Sequence, residues 1–238
     1  MASSSTRSPR KWLWWLIGGT VAVVVLVVAA PFVYIHFIET DPPPKLHLST
    51  TPPTTAASSA PAVRAPLAGT WKVGSGSTVG YRVKEVLFGQ NNDAAGRTND
   101  VSGSITIAGT TVRSGQFTAD LTTVKSDRGQ RDNAFQGRIM DTADFPTATF
   151  KLTKPIALGR EPADATLITV QATGDLTLHG QTRSVTFPLQ ARRTGNVIEA
   201  TGEIPVKFSD YQIGDPSFGP VTTEDHGILE FLLEFQPS

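Results

Sequence analysis

Cysteine is absent from the 238-residue chain, which excludes disulfides, thiolate zinc sites and cysteine nucleophiles while leaving the redox compartment open. A charge surplus is missing too. With 21 Lys/Arg against 21 Asp/Glu, the basic excess of a nucleic-acid binder is not there, so no nucleic-acid partner is expected. Histidine is scarce, limited to His36, His47, His179 and His226, and no G-x-S-x-G nucleophile elbow occurs. Neither a metal nor another cofactor is therefore expected. The 21 Gly and 17 Pro argue against a long-helix protein.

What is present begins with one apolar run, from Leu13 to Ile38, whose only ionisable member is His36. Roughly 20 apolar residues suffice to span a bilayer. The sequence predicts a transmembrane helix over residues 12–38, with Trp12, Trp14 and Trp15 at one interface and Tyr34 at the other. A cleaved signal peptide fits less well, because the run exceeds the usual apolar region and Pro31 follows the small pair Ala29-Ala30. Arg7, Arg10 and Lys11 precede the run while Glu39 and Asp41 follow it. The positive-inside rule then puts residues 1–11 in the cytoplasm and the C-terminal domain on the extracytoplasmic side of the cell membrane, as a single-pass integral protein. Residues 39–67 read as a disordered linker. Between Asp41 and Pro66 there are seven Pro and seven Ser/Thr, a composition with too little apolar surface to offset ordering entropy. Fully extended, such a stalk would reach roughly 80 Å.

Residues 68–238 carry 16 Lys/Arg and 19 Asp/Glu, and their apolar residues alternate with polar ones. A period of two predicts strands over 79–84, 101–107, 115–121, 148–152, 168–178, 184–191, 198–208 and 228–235. Turns such as His179-Gly180-Gln181 make sequence neighbours antiparallel hairpins. Only Gly129–Ile139 reads as helical. Eight such strands with no helical layer must close into a barrel or stack as a sandwich, and the long apolar faces of 168–178 and 198–208 favour an all-β, eight-stranded antiparallel barrel.

The segment GDLTLHGQTRSVTFP, Gly174 to Pro188, resembles the G-x-L-T-x-H-G-x-T signature of the YceI-like lipid/polyisoprenoid-binding family. Arg131-Asp132, then Asp141, then Phe145-Pro146 and Phe150, are similar to that family's R-D…D…Y-P-x3-F stretch, and Trp71-Lys72-Val73 with Ser77, Val79 and Tyr81 to its opening strand. Departures are Gly74 where Asp is usual, Ala134-Phe135 where His-Leu is usual, and a polar insertion, 91–99, read as lengthening an early loop. The resemblance implies a lipocalin-like barrel whose tunnel holds an isoprenoid or fatty amphiphile, without enzyme activity. A packed, ligandless interaction module and an enzyme acting on the same lipid are the competing readings.

Candidate ligand contacts follow from the motifs and the inner faces of the two longest strands: Arg131, Phe135, Phe145, Phe150, Ala172, Gly174, Leu176, Leu178, His179, Ala200, Gly202 and Ile204. Arg131 suits a headgroup, or else an ion pair with Asp132 or Asp127. His179 reads as a turn residue bonded to a backbone carbonyl, or as a ligand contact. Each Phe, Phe88 included, reads as core or as cavity lining. Asp141 and Asp144 resemble paired carboxylates yet suit cap and turn roles. Glu224-Asp225-His226 reads as a solvated loop whose side chains do not converge. The small residues Ala172, Gly174, Ala200 and Gly202 are expected to keep the tunnel open.

Overall fold

Strict alternation commits each strand to one apolar and one polar face, and burying eight apolar faces without a second layer requires the sheet to curl until its edges meet. The computed structural model, which describes residues 10–33, 42–49, 64–87, 89–219 and 221–238, has this closed antiparallel barrel. Its first wall is a bent strand made of β1 (Gly69–Val73) and β2 (Thr78–Leu87). The second joins β3 (Gln90–Thr98) to β4 (Val101–Ala108), and the third joins β5 (Thr111–Asp120) to the short β6 (Lys125–Ser126). A helical excursion follows, α2 (Gly129–Ala134) continuing as a π-helical turn, Phe135–Ile139. The remaining walls are β7 (Thr147–Leu152) with β8 (Ile156–Ala157), β9 (Ile168–Leu178), β10 (Gln181–Thr194), β11 (Val197–Lys207) and, after the small β12 (Val221–Thr223), β13 (His226–Pro237). Each wall pairs with its sequence neighbour, and β13 closes the ring on β1 and β2.

The polar stretch Gln90–Thr98 corrects the reading of an inserted loop: it is β3, paired along its length with β2. Its inward positions are small, Ala94 and Gly96, so the Tyr81 ring lies over β3 where a larger side chain would collide. The linker reading is corrected as well. Residues 42–49 lie along the outer barrel wall with Leu48 only 8% exposed, and Leu67 is buried at the start of the barrel. Composition counts apolar side chains, whereas this segment is held by its backbone carbonyls. Residues 50–63 lie outside the described residues.

In a separate unit, helix α1 spans Arg10–Val33. Its side chains are described over 14–25 and at 29, and among the described residues no helix is long and apolar enough to cross a membrane. Tyr34, His36 and Ile38 of the apolar run lie outside the described residues.

Candidate functional site

Five phenylalanines from alternating inward positions form a connected set inside the barrel. Phe235 meets Phe117 at 5.6 Å between ring centroids, Phe117 stacks on Phe150 at 6.5 Å, Phe150 meets Phe187 edge-on at 5.5 Å, and Phe187 meets Phe231 at 5.8 Å. Beside them runs a narrow cavity of about 160 Å³, lined by Phe150, Ala172, Leu176, Ala200, Ile204 and other apolar side chains. Trp71 and Arg193 stand toward this end. The Trp71 indole N–H donates to the Leu67 carbonyl at 2.9 Å, and the Arg193 guanidinium lies 5.0 Å over the indole.

A larger cavity of about 750 Å³ occupies the other end, between the barrel walls, the α2–π segment and the loop carrying Ile213, Pro216 and Phe218. Val79, Ala148 and Leu229 line both spaces, so the two cavities adjoin inside the barrel. Phe135 lines the large cavity and stacks on Tyr81, 4.9 Å between centroids and 8° between planes; Leu178 lines it too. Arg131 reaches the same wall, where it donates to Glu85 Oε1 at 2.9 Å and to Asp127. Asp132 plays a different part from the one the sequence allowed: its carboxylate accepts from the Ser126 N–H and hydroxyl, both at 2.7 Å, and fixes the loop.

Glu85 is the site residue the sequence reading missed, because the expected strand stopped at Lys84. Val79, Tyr81, Val83, Glu85 and Leu87 all occupy the inward face of β2, and a carboxylate on an apolar face was the available signal. Burial acts against the Arg131 charge, but Glu85 and Asp127 outweigh it and hold the guanidinium above its ordinary range. Burial pushes the Tyr81 phenol well up; Arg131 opposes this and the neighbouring carboxylates add to it. Tyr211 is raised likewise, by burial and then by Asp210. Above about pH 10 the unfolded chain ionises phenols that the fold keeps neutral, so the unfolded state binds fewer protons and stability falls as pH rises. A urea-midpoint series from about pH 9 to 11 should show this fall, and Tyr81→Phe should flatten it.

Four expected contacts line neither cavity: Phe145, Gly174, His179 and Gly202. The Gly174 backbone is covered by the Phe150 ring and Gly202 by Phe231 and Phe187, so these glycines seat aromatic rings rather than open space. His179, at φ 49°, turns the β9–β10 hairpin with Nδ1 3.2 Å from the Tyr211 carbonyl oxygen and its ring 4.6 Å from that of Phe145. Asp141 and Asp144 make a turn, the Asp141 carbonyl accepting from the Asp144 and Phe145 N–H groups. Glu224 and Asp225 do converge, on the exposed ring of His226 at 3.4 and 2.9 Å, against the expectation that the three stay apart. Phe88 lies outside the described residues.

The YceI-like domain pattern matches residues 71–235. A polyisoprenoid-binding domain from Saccharophagus degradans, implicated in plant cell wall breakdown, superposes with a TM-score of 0.59 at 18% identity, over 72% of this chain and 99% of that one. BcnA of Burkholderia cenocepacia follows at 0.51 and 23% identity, over 67% of this chain and 96% of its own. A UPF0312 protein of Vibrio parahaemolyticus is 35% identical over 78 residues, 32% of this chain, which spans 38% of that relative's length.

Proposed function

The chain belongs to the YceI-like domain family, and from that premise we propose that it is a membrane-anchored, extracytoplasmic binding protein that sequesters or carries an isoprenoid or other long-chain lipid. The observation that carries this reading is the pair of adjoining, mostly apolar cavities inside the barrel. Small-molecule sites commonly enclose about 300–1,000 Å³ with mostly apolar walls and a few polar groups, a range into which the 750 Å³ cavity falls. The narrower 160 Å³ extension suits a hydrocarbon tail and little else. Polar groups gather at the wide end, around Tyr81, Glu85, Arg128, Arg131 and Arg138. The ligand therefore lies with its head there and its tail toward Trp71. Because Arg131 already engages two carboxylates, the head meets a compensated cation rather than a bare positive charge. The name of the Saccharophagus domain supports an isoprenoid tail. Anchoring rests on the apolar run Leu13–Ile38 and its flanking charges.

The unit Pro42–Ser238 contains the closed barrel and its core, and the Saccharophagus structure it resembles is matched over 99% of its length by 72% of this chain. Native mass spectrometry of that unit, after expression with a membrane-lipid supply, should show a co-purified lipid. Ala200→Phe, which fills the narrow cavity at an overpacking cost of about 1–3 kcal/mol, should reduce the loaded fraction sharply. A parent protein that neither co-purifies with lipid nor takes up a fluorescent isoprenoid from vesicles would end the carrier reading.

A further inference from the structure

On the outer face of a barrel, charged and polar side chains ordinarily meet water. Here a row of them does not: Glu230 is 0% exposed, Thr201 5%, and Arg82, Arg192 and Glu199 each 6%, all at outward positions of β2, β10, β11 and β13. Their inward neighbours, among them Tyr81, Ala200, Leu229 and Phe231, line the cavities, which fixes Arg82, Glu199, Thr201 and Glu230 on the opposite face; Arg192 joins them by its register opposite Glu199, though part of it also borders the narrow cavity. The cover is the segment Pro42–Ser49.

The contacts have one chemistry. Arg82 Nη2 donates to the Pro43 carbonyl at 2.6 Å, Arg97 to that of Pro44, and Arg192 Nη1 to that of Ser49 at 2.8 Å. The Thr201 hydroxyl lies 3.4 Å from the Leu46 carbonyl. Three arginines and a threonine thus read four main-chain carbonyls. All three arginines are themselves held in place by carboxylates of the wall: Arg97 Nη2 donates to Glu230 Oε1 at 2.8 Å, Arg82 Nη2 to the same oxygen at 3.4 Å and Arg192 Nη2 to Glu199 Oε2 at 2.6 Å. Side-chain recognition includes Leu48, buried on the wall, and Lys45, which pairs with Glu203 at 3.0 Å.

Proline suits such a groove for a physical reason. It offers a carbonyl but no N–H, and its fixed φ makes an extended segment cheap to order, so a donor-rich wall complements a Pro-Pro-Pro run where a β-edge would not. We infer that the outer wall formed by β2, β3, β10, β11 and β13 is a recognition groove for an extended, proline-bearing segment, and that its occupant is this chain's own Pro42–Ser49. The segment precedes the residues matched by the family pattern, 71–235, while the groove residues lie within them, so it is the occupant that is added to the barrel. It depends on no assumption about a lipid. By lying across the backs of β11 and β13, the strap ties together walls whose inner faces bound the narrow cavity.

The test uses the full-length chain. Lys45 is followed by Leu46, a bond open to trypsin wherever the strap is undocked. Limited proteolysis of the parent should cut after Lys45 at least about tenfold more slowly than in a Leu48→Asp variant, whose change lies on the strap and leaves the barrel wall intact. A fluorescent peptide with the sequence of residues 41–50 should then bind that variant and bind the parent at least about tenfold more weakly, because the parent's groove is filled. Adding Arg192→Ala to the variant should weaken peptide binding by about tenfold or more. Equal cleavage of parent and variant, or a peptide that binds neither, would overturn the groove. Protection of Lys45 that appears only with concentration-dependent dimerisation would overturn the assignment in cis, since a second copy would then supply the strap.

Discussion

Replacing Glu230 by alanine is expected to destabilise the barrel unit by about 3–5 kcal/mol, the cost typical of removing one partner from a buried ion pair. The side chain is fully enclosed, and its Oε1 accepts from Arg97 at 2.8 Å and from Arg82 at 3.4 Å. Truncation would leave both guanidiniums under the strap with, among the described residues, only Asp93, 3.7 Å from Arg82, as a remaining carboxylate. The proper control sits on the same strap. Lys45 and Glu203 also form an ion pair, at 3.0 Å, but their side chains are 53% and 41% exposed, so Glu203→Ala should cost less than about 1 kcal/mol. Urea unfolding of the unit 42–238 separates the two, with the change appearing in the midpoint rather than in the slope. Should both variants unfold within about 0.5 kcal/mol of each other, burial would not be what distinguishes the pairs.

The contrast between those pairs also explains what the sequence made legible. Strand β9 emerges residue for residue at 168–178, and β11 within one residue at each end, because an unbroken alternation of apolar and polar residues leaves a strand only one register. Strand β3 offers no such signal. Gln-Asn-Asn-Asp-Ala-Ala-Gly-Arg-Thr contains no large apolar residue, and the segment is a strand because β2 pairs with it and the Tyr81 ring needs small residues beneath it. That information sits in the partner. The strap was hidden for a related reason, since its acceptors are carbonyls that every residue carries and its donors, Arg82, Arg97 and Arg192, lie 39, 53 and 143 positions away in sequence. At the site, the pairing of Arg131 with Asp127 could be read from its four-residue spacing, whereas Glu85 approaches from another wall, 46 positions away. The two cavities likewise depend on how five aromatic rings divide the interior, a packing outcome that alternation does not encode.

Gly174 and Gly202 carry the sharpest disagreement between pattern and packing, and their alanine variants should differ accordingly. A Cβ at Gly174 would lie 2.4 Å from Phe150 Cζ and 2.5 Å from the Lys151 carbonyl oxygen, which belongs to the backbone of the paired strand β7. A ring can tilt, but a ladder carbonyl cannot move without opening the β7–β9 pairing. Gly174→Ala is therefore expected to cost about 3 kcal/mol, the upper part of the overpacking range. A Cβ at Gly202 would meet only rings, at 2.8 Å from Phe231 Cζ and 3.3 Å from Phe187 Cδ2. Small ring rotations relieve that contact, and alanine also reduces the entropy of the unfolded chain, so Gly202→Ala should cost about 1 kcal/mol or less. Thermal and urea unfolding of the two variants beside the parent measures the difference. Lipid uptake by the folded fraction of Gly174→Ala should stay near the parent's, because the added methyl presses on Phe150 and β7 rather than on ligand space. If Gly174→Ala instead kept full stability and lost lipid uptake, Gly174 would face the tunnel, as the inner-face pattern of 168–178 suggests, and the seating of Phe150 over it would be wrong.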